Sequence, residues 1–154
     1  MIVKTIIIIL SLIAIVSFLS CDSSKSVADT TEPKTEAPIA EENNPNDLVG
    51  KTWTVSYIQE LDARTVPTKK APSINFKEGN RASINLSVNS CIANYKASTT
   101  TLKIVNDGCT EMCCDDTFDQ QLLKLIEANE FSYALSGSKL TMTTENITIL
   151  LTSE

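Results

Sequence analysis

From Leu48 onward, the chain alternates between apolar and polar positions in a series of short stretches. In TWTVSYI, the side chains of Trp53, Val55 and Tyr57 alternate with polar ones, and SINF and RASINLSV repeat the pattern. TLKIV, FSYAL, KLTMTT and ITILLT alternate in the same way. A period of two places the apolar side chains on one face of a strand, which is typical of antiparallel sheets with one buried face. The pattern therefore predicts a mainly β domain.

Turn signals separate these strands, and one segment has a different period. The stretch KEGN offers a Gly79-Asn80 turn between SINF and RASINLSV, which predicts a hairpin. In DDTFDQQLLKLIEANE the apolar residues are spaced as one stripe of a helix. At its start, Thr117 and Gln120 have the spacing of a capping box. The stripe consists of Phe118, Leu122, Leu125 and Ile126.

Three acidic residues, Asp115, Asp116 and Asp119, cluster where this helix is predicted to begin. Negative charge at that position is stabilised by the helix dipole. The alternative is a calcium site, but the segment lacks the alternating aspartates and the glycine of a calcium-binding loop. We therefore predict that these carboxylates cap the helix, with calcium binding as the alternative.

The first 20 residues have the layout of an export signal. Lys4 is followed by an uncharged run from Thr5 to Ser20, which is short for a membrane-spanning helix. The run ends in FLSC, which resembles the bacterial lipobox, although Phe18 stands where the common pattern has Leu. We predict that residues 1–20 are a lipoprotein signal peptide and that Cys21 is lipidated. The alternatives are a signal peptide cleaved without lipidation and a retained anchor.

Residues 21–47 are predicted to be the lipidated cysteine and a disordered tether. The stretch from Asp22 to Asp47 has no aromatic residue and is dominated by Ser, Thr, Glu, Pro and Asn, so it cannot bury enough apolar surface to fold. Residues 48–154, about one hundred residues, are enough for one folded domain. The predicted location is the cell envelope, with the lipid on Cys21 as the membrane contact. The outer membrane is expected, while its periplasmic or surface face stays open.

Composition argues against several functions. The net charge of −6 disfavours nucleic acid as a partner, because phosphate contacts require clustered Lys and Arg. The chain has no histidine, so it lacks the base of an ordinary catalytic triad. It also has no Gly-x-Ser-x-Gly motif and no phosphate-binding loop. We therefore predict a protein that is not an enzyme, with no cofactor and no catalytic residue.

The remaining candidate chemistry is a set of cysteines. Besides Cys21 there are Cys91, Cys109, Cys113 and Cys114, and an even number in an exported chain favours disulfides. Pairing the adjacent Cys113 and Cys114 would require a strained ring. That leaves Cys91–Cys113 with Cys109–Cys114, or Cys91–Cys114 with Cys109–Cys113. A thiolate metal site on all four cysteines and a redox role are the alternatives, although the spacing does not contain the Cys-x-x-Cys pairs of zinc and redox sites.

Several motifs resemble META domains, the HslJ-like family of bacterial envelope proteins. The stretch LVGKTWTV resembles the family's Leu-x-Gly-x-x-Trp element, and APSINFKEGNRASI resembles its strand pair with a Pro-x-aliphatic-x-Phe centre. Asn89 and Tyr95 have the spacing of the family's Asn…Gly-x-Tyr element. Thr110, Met112 and Cys114 fit Thr-x-Met-x-Cys, and LSGSKLTM resembles a Gly-x-x-Leu hairpin.

The resemblance covers about Leu48 to Thr152 and carries structural expectations. It implies a mainly β fold, α+β in detail: a strongly curved antiparallel sheet approaching an open β-barrel, with one α-helix packed on it. It also implies that a Cys91–Cys114 bridge could join the Asn89 loop to the helix entry. Val88 stands where many members have a cysteine. A disulfide that uses this cysteine in those members therefore has no counterpart in this chain.

Two kinds of function remain compatible with these observations. The first is a non-catalytic envelope lipoprotein with a role in stress tolerance or surface interaction. This expectation comes from the family that the chain resembles, which is linked to heat, secretion or drug tolerance. The second is a lipoprotein that binds a small ligand on the concave side of the sheet, through Trp53, Tyr57 and Tyr95. A thiolate metal-binding protein is the further alternative.

Overall fold

The structure, a computed structural model, describes residues 42–112 and 115–154. The predicted signal peptide, the lipidation of Cys21 and most of the predicted tether lie outside the described residues. Cys113 and Cys114 lie outside them as well.

The described residues form a mainly β domain, as the alternation predicted. They contain nine strands, one α-helix and one turn of 3-10 helix at Pro45–Leu48. The strands are β1 (Thr52–Glu60), β2 (Ala63–Thr65), β3 (Ser73–Lys77), β4 (Arg81–Asn85), β5 (Ser90–Ala97), β6 (Thr101–Cys109), β7 (Glu130–Ser136), β8 (Lys139–Thr143) and β9 (Ile147–Ser153). The helix α1 spans Thr117–Ala128.

All nine strands belong to one curved antiparallel sheet that closes on itself. The order is β2-β1-β3-β4-β5-β6-β7-β8-β9, and β1 also pairs with β9. One side of β1 is shared, because Thr52–Thr54 pair with β3 while Ile58–Glu60 pair with β2. The other side of β1 pairs with β9 from Trp53 to Glu60. The strands therefore form a ring in which every strand except β2 has a partner on both sides.

The space inside the ring is filled by a single hydrophobic core. Every strand except β2 contributes buried side chains to it, and so does the helix. Trp53 is 0% exposed, and its indole Nε1 donates a hydrogen bond to the Leu48 carbonyl at 3.0 Å. Phe76 and Phe131 are buried to a similar degree. A domain that folds independently needs its own closed arrangement of strands and its own core. Residues 42–154 contain both, so we expect them to fold without the preceding segment.

The alternation in β1 is interrupted by a β-bulge. Trp53 and Val55 point into the core, but the register with β9 shifts between Val55 and Tyr57. Beyond the bulge, Ile58 is buried and Tyr57 is only partly buried. The prediction that Tyr57 shares a face with Trp53 is therefore wrong, because a bulge inserts one extra residue and exchanges the two faces.

Helix α1 covers one end of the ring. The predicted stripe of Phe118, Leu122, Leu125 and Ile126 is buried in the core. On its flank, Gln121 accepts a hydrogen bond from the Thr65 hydroxyl in β2 at 3.1 Å and donates one to the Glu60 carboxylate in β1. In the described part of the chain, no helix is long and apolar enough to span a membrane.

The helix begins with a different cap from the predicted one. Asp116 is the N-cap, and its carboxylate accepts a hydrogen bond from the Asp119 backbone N–H at 3.0 Å. Thr117 is already the first helical residue, so the predicted capping box of Thr117 and Gln120 is wrong. Aspartate is as good an N-cap as serine or threonine, which is why the sequence offers two adjacent candidates.

The folded part starts before the expected boundary at Leu48. The Asn43 side chain donates hydrogen bonds to the carbonyls of Thr99 and Tyr133, both at 2.8 Å, and accepts one from the Leu135 N–H at 2.8 Å. The 3-10 turn Pro45–Leu48 follows, with Asn44 as its cap. The last residues of the predicted tether are therefore part of the domain, because the Asn43 side chain joins the β5–β6 turn to strand β7.

Candidate functional site

The motifs that carry the candidate chemistry meet at one end of the ring, here called the helix end. It consists of the β4–β5 turn (residues 86–89), the segment after β6 (residues 110–112) and the start of α1. Antiparallel pairing brings these segments together, because β4 ends and β5 begins at the same level as the end of β6. The backbone N–H of Thr110 donates to the Ser90 carbonyl at 3.0 Å, which extends the contact beyond the strands.

Asn89 is the centre of the helix end. It is 6% exposed, and its carbonyl oxygen accepts hydrogen bonds from the Thr110 hydroxyl at 2.9 Å and the Met112 N–H at 2.8 Å. Its amide nitrogen donates to the Met112 carbonyl and to the Asp115 carboxylate, both at 2.7 Å. A buried amide is stable when its donors and acceptors are paired. Two of the motifs seen in the sequence thus interlock through one side chain.

Asp115 holds the β4–β5 turn through its carboxylate. One carboxylate oxygen accepts the backbone N–H groups of Val88 at 3.2 Å and Asn89 at 3.0 Å, and the other accepts the Asn89 amide. Desolvation raises the pKa of this carboxyl, but the hydrogen bonds from Asn89 and Val88 outweigh it, and the pKa lies below its ordinary value. Asp115 therefore binds the turn most strongly in its charged form.

Asp119 joins the first turn of the helix to the same loop. Its side chain is 1% exposed, and one carboxylate oxygen accepts both the backbone N–H of Ser87, at 2.9 Å, and the Ser87 hydroxyl. The other oxygen is buried without a hydrogen-bond partner among the described residues. This contact could not be predicted from the sequence, because a buried aspartate in a helix has the same spacing as an exposed one.

The acidic cluster at the helix start is therefore used for capping and docking. Asp116 caps the helix, while Asp115 and Asp119 hold the β4–β5 turn. Within residues 42–112 and 115–154, no group of three or more His, Cys, Asp or Glu residues is arranged to hold a metal ion. The geometry fits the predicted capping role and gives no support to the calcium alternative.

The structure pairs Cys91 with Cys109 in a disulfide with an S–S distance of 2.02 Å. The two residues are direct neighbours in the β5–β6 register, with Cys91 facing the core and Cys109 exposed. Both predicted connectivities are therefore wrong, because each paired Cys91 with Cys113 or Cys114. Elimination among the cysteines could not find this pair, since the register that places them opposite each other is set by the whole hairpin. A metal site on all four thiolates is excluded by the same bond.

The three aromatic residues predicted to contact a ligand do not form one site. Trp53 is in the core, and Tyr95 is 8% exposed, with its ring edge against Phe76 and its hydroxyl donating to the Lys77 carbonyl at 3.2 Å. Burial raises the pKa of the Tyr95 hydroxyl. Tyr57 is on the other face of the sheet. Trp53 and Tyr95 are used in the hydrophobic core, so they do not stand together with Tyr57 on one surface.

Arg64 covers the outward face of Tyr57. The guanidinium carbon lies 3.8 Å from the ring centroid, which is a cation–π contact. Tyr57 thus packs against its own chain, and this contact accounts for an aromatic side chain on the outer face.

Comparison with known proteins agrees with the fold. The family model described as the META domain matches residues 46–154. A protein from Burkholderia xenovorans, solved by NMR, is similar with a TM-score of 0.55 and 13% identity over 80% of this chain and 97% of that chain. A second NMR structure has a TM-score of 0.52 and 19% identity over 71% of this chain and 94% of that chain. At these identities the likeness shows the fold alone. No curated protein matches the chain.

The Asn89 network predicts a large loss of stability in Asn89→Ala. We expect the free energy of unfolding to fall by about 2–4 kcal/mol, because the Met112 N–H and carbonyl lose their buried partner. Asn94→Ala is the matched control, since Asn94 is exposed and its amide bonds only the Asp107 carboxylate among the described residues. It should cost less than about 1 kcal/mol. Urea denaturation measures both, and equal losses would contradict the role of Asn89.

The lowered pKa of Asp115 predicts that the free energy of unfolding depends on pH in the acid range. Its folded-state pKa is below the unfolded value of about 3.9, so its contribution is complete above that value and is lost as the pH falls through the folded pKa. In Asp115→Asn, the free energy of unfolding should therefore fall less between about pH 5 and pH 2. An unchanged slope in Asp115→Asn would refute the prediction.

The β5–β6 register predicts the disulfide connectivity in the isolated protein. Peptide mapping of the exported domain without reductant should link Cys91 to Cys109. Replacing both by serine should lower the free energy of unfolding by about 2–4 kcal/mol. The double variant Cys113→Ser, Cys114→Ser is the control and should keep the bridge. A peptide that links Cys91 to Cys113 or Cys114 would show that the register is not the one described.

Proposed function

The chain belongs to the META domain family, and on this premise we propose that it is a lipid-anchored protein of the bacterial cell envelope. Its domain acts by contact with a partner at the envelope, in stress tolerance or surface interaction, and not by catalysis. The outer membrane is the proposed site of the anchor.

The observation that carries the proposal is the Cys91–Cys109 disulfide. Disulfides persist in oxidising compartments such as the periplasm and the cell surface, and are rare in the cytosol. The disulfide supports export, and the export signal is provided by the uncharged run after Lys4. The FLSC stretch then places Cys21 where a lipoprotein carries its diacylglyceryl group. The two observations are independent, since one concerns the folded domain and the other the first residues.

The use of polar groups at the helix end supports a role without catalysis. General acid–base chemistry needs a carboxyl group that can reach a substrate. Asp115, Asp116 and Asp119 instead bond to the protein's own backbone and side chains. The chain also has no histidine. What the domain offers to a partner is therefore its outer surface.

A second candidate function is the binding of a small ligand at that outer surface. The packed interior removes the concave side from consideration. One observation favours the candidate nevertheless: a depression beside the disulfide on the outside of the sheet. Thermal-shift screening against lipids and peptides separates this function from partner contact alone, because a ligand that binds the folded domain raises the melting temperature, and the rise grows with the ligand concentration relative to its dissociation constant.

The lipid anchor predicts the outcome of changing Cys21. When the full chain is expressed in a bacterium, mass spectrometry should find a mature protein that starts at Cys21 and carries a diacylglyceryl group. Cys21→Ser should lose the lipid, because the thiol is the acceptor. Ser20→Ala keeps a small residue before the cysteine and should still be lipidated. A mature N-terminus at another residue, or a retained signal segment, would disprove the anchor.

A further inference from the structure

The outer face of β4, β5 and β6 carries a depression that we call the β4–β6 depression. Arg81 and Ser83 line it from β4, Ile92 from β5, and Asp107 and Gly108 from β6, next to the Cys91–Cys109 disulfide. Its volume is about 510 Å³, which is in the range of about 300–1,000 Å³ found for small-molecule sites. It is separate from the hydrophobic core, since it lies on the opposite face of the sheet.

A β-bulge creates this depression. In the β5–β6 register, Ile92 pairs with Gly108 and Ala93 pairs with Asn106, which leaves Asp107 as the extra residue. Gly108 has φ +155°, a conformation that favours glycine, and no atom lies within 4 Å of the position a Cβ would occupy. The bulge and the missing side chain together leave open space above the disulfide.

The floor of the depression is apolar. Ile92 is 55% exposed although it lies in the middle of a paired strand, and the disulfide lies beside it. Adjoining segments expose further apolar side chains, since Val88 precedes β5, Val105 is in β6 and Met112 follows β6. None of these three lines the depression, so Ile92 is the exposed large apolar side chain within it.

The depression carries one charged side chain of each sign, and Arg81 is the one without a hydrogen-bond partner among the described residues. The Asp107 carboxylate accepts a hydrogen bond from the Asn94 amide at 2.6 Å and keeps its charge. Arg81 lies opposite Asn94 in the β4–β5 register and is exposed. Among the described residues, its guanidinium makes no hydrogen bond and no ion pair. A ligand that complements this site therefore carries one anionic group beside an apolar part.

The pairing of the sheet restricts the kind of ligand. β5 is hydrogen-bonded to β4 on one side and to β6 on the other. A peptide that binds by adding a strand needs an unpaired sheet edge, and β5, which runs through the depression, has none; the unpaired edge of β6 beyond Lys103 lies to one side of it. The depression therefore suits a compact molecule that contacts side chains.

We propose that the β4–β6 depression binds a small amphiphilic carboxylate, such as a medium-chain fatty acid. The alkyl chain packs on Ile92 and on Cys109, the exposed half of the disulfide, and the carboxylate pairs with the Arg81 guanidinium. The inference goes beyond the proposed envelope function and does not depend on the lipid anchor, because the site lies wholly within the folded domain.

The test is a titration of the isotope-labelled domain, residues 42–154, exported so that its disulfide forms and followed by NMR. The probes are decanoate, kept below its micelle concentration, and decanol, which has the same alkyl chain without the charge. Decanoate should cause saturable shifts of the backbone amides of Ile92, Asp107 and Gly108. It should bind about fivefold more tightly than decanol, which is the effect of one exposed ion pair.

Three substitutions at exposed positions test the assignment of the groups. Arg81→Gln should bring the affinity for decanoate down to that for decanol. Arg64→Gln removes the same charge from β2, outside the depression, and should keep the preference for decanoate. Ile92→Ser should weaken both probes. Amide spectra that overlay the wild-type spectrum away from the site establish that each variant is folded.

Three results would overturn the proposal. The first is the absence of saturable shifts with decanoate in the folded domain. The second is a set of shifts that lies outside the depression. The third is a preference for decanoate over decanol that survives in Arg81→Gln. Each of these can occur whether or not Cys21 is lipidated, so the failure of this proposal is distinguishable from the failure of the envelope assignment.

Discussion

The pairing of β1 with β9 is the constraint on which the rest of the structure depends. It joins the first long strand to the last one, from Trp53 to Glu60, and so closes the sheet. Closure pairs β1 with β9, two strands that would otherwise present free edges of the kind at which sheets aggregate, and it encloses the space that the core residues fill. Side chains such as Trp53 and Phe131 occupy that space, and the functions proposed above therefore use the outer surface of the domain. The closed ring is therefore the reason why both proposed functions depend on the outer face of the sheet.

The ring is incomplete at one point, and the helix compensates for it. β6 pairs with β7 only from Thr101 to Lys103, although β6 continues to Cys109. Helix α1 lies at this opening, and Lys103 donates hydrogen bonds to the carbonyls of Glu127 and Asn129, both at 2.8 Å. Asn89 and the aspartates then fix the start of the helix. The side chains of Asn89 and of the aspartates thus make hydrogen bonds that hold the helix in place.

The alternation of apolar residues predicted the helix and seven of the nine strands, because burial on one face determines both patterns, but it did not predict β2, whose residues are all exposed, or β5. It could not predict the bulge in β1, which exchanges the faces of Tyr57 and Ile58, since the extra residue is defined by the register with β9. The Cys91–Cys109 bridge was missed for the same reason. Register depends on the partner strand, and the partner strand is distant in sequence.

The candidate site was predictable in part. The sequence identified the cysteines and the acidic helix start as the chemically distinctive segment, and the resemblance to the family placed Asn89, Thr110 and Met112 in related motifs. It could not indicate that Asn89 is the residue joining them, because a buried amide and an exposed one have the same sequence signature. The β4–β6 depression was also missed, since it arises from a bulge and from the side chain that Gly108 lacks.

Hydrogen exchange of the backbone amides in β1 and β9 tests the central claim, the closure of the ring, most directly. The account predicts that amides in both strands are protected to about the same degree as those in β4 and β5, because all four strands exchange only when the domain unfolds. Rapid exchange along β9, with β4 and β5 still protected, would show that β9 is a free edge. The ring would then be open, and the claim that the interior is closed to ligands would be wrong.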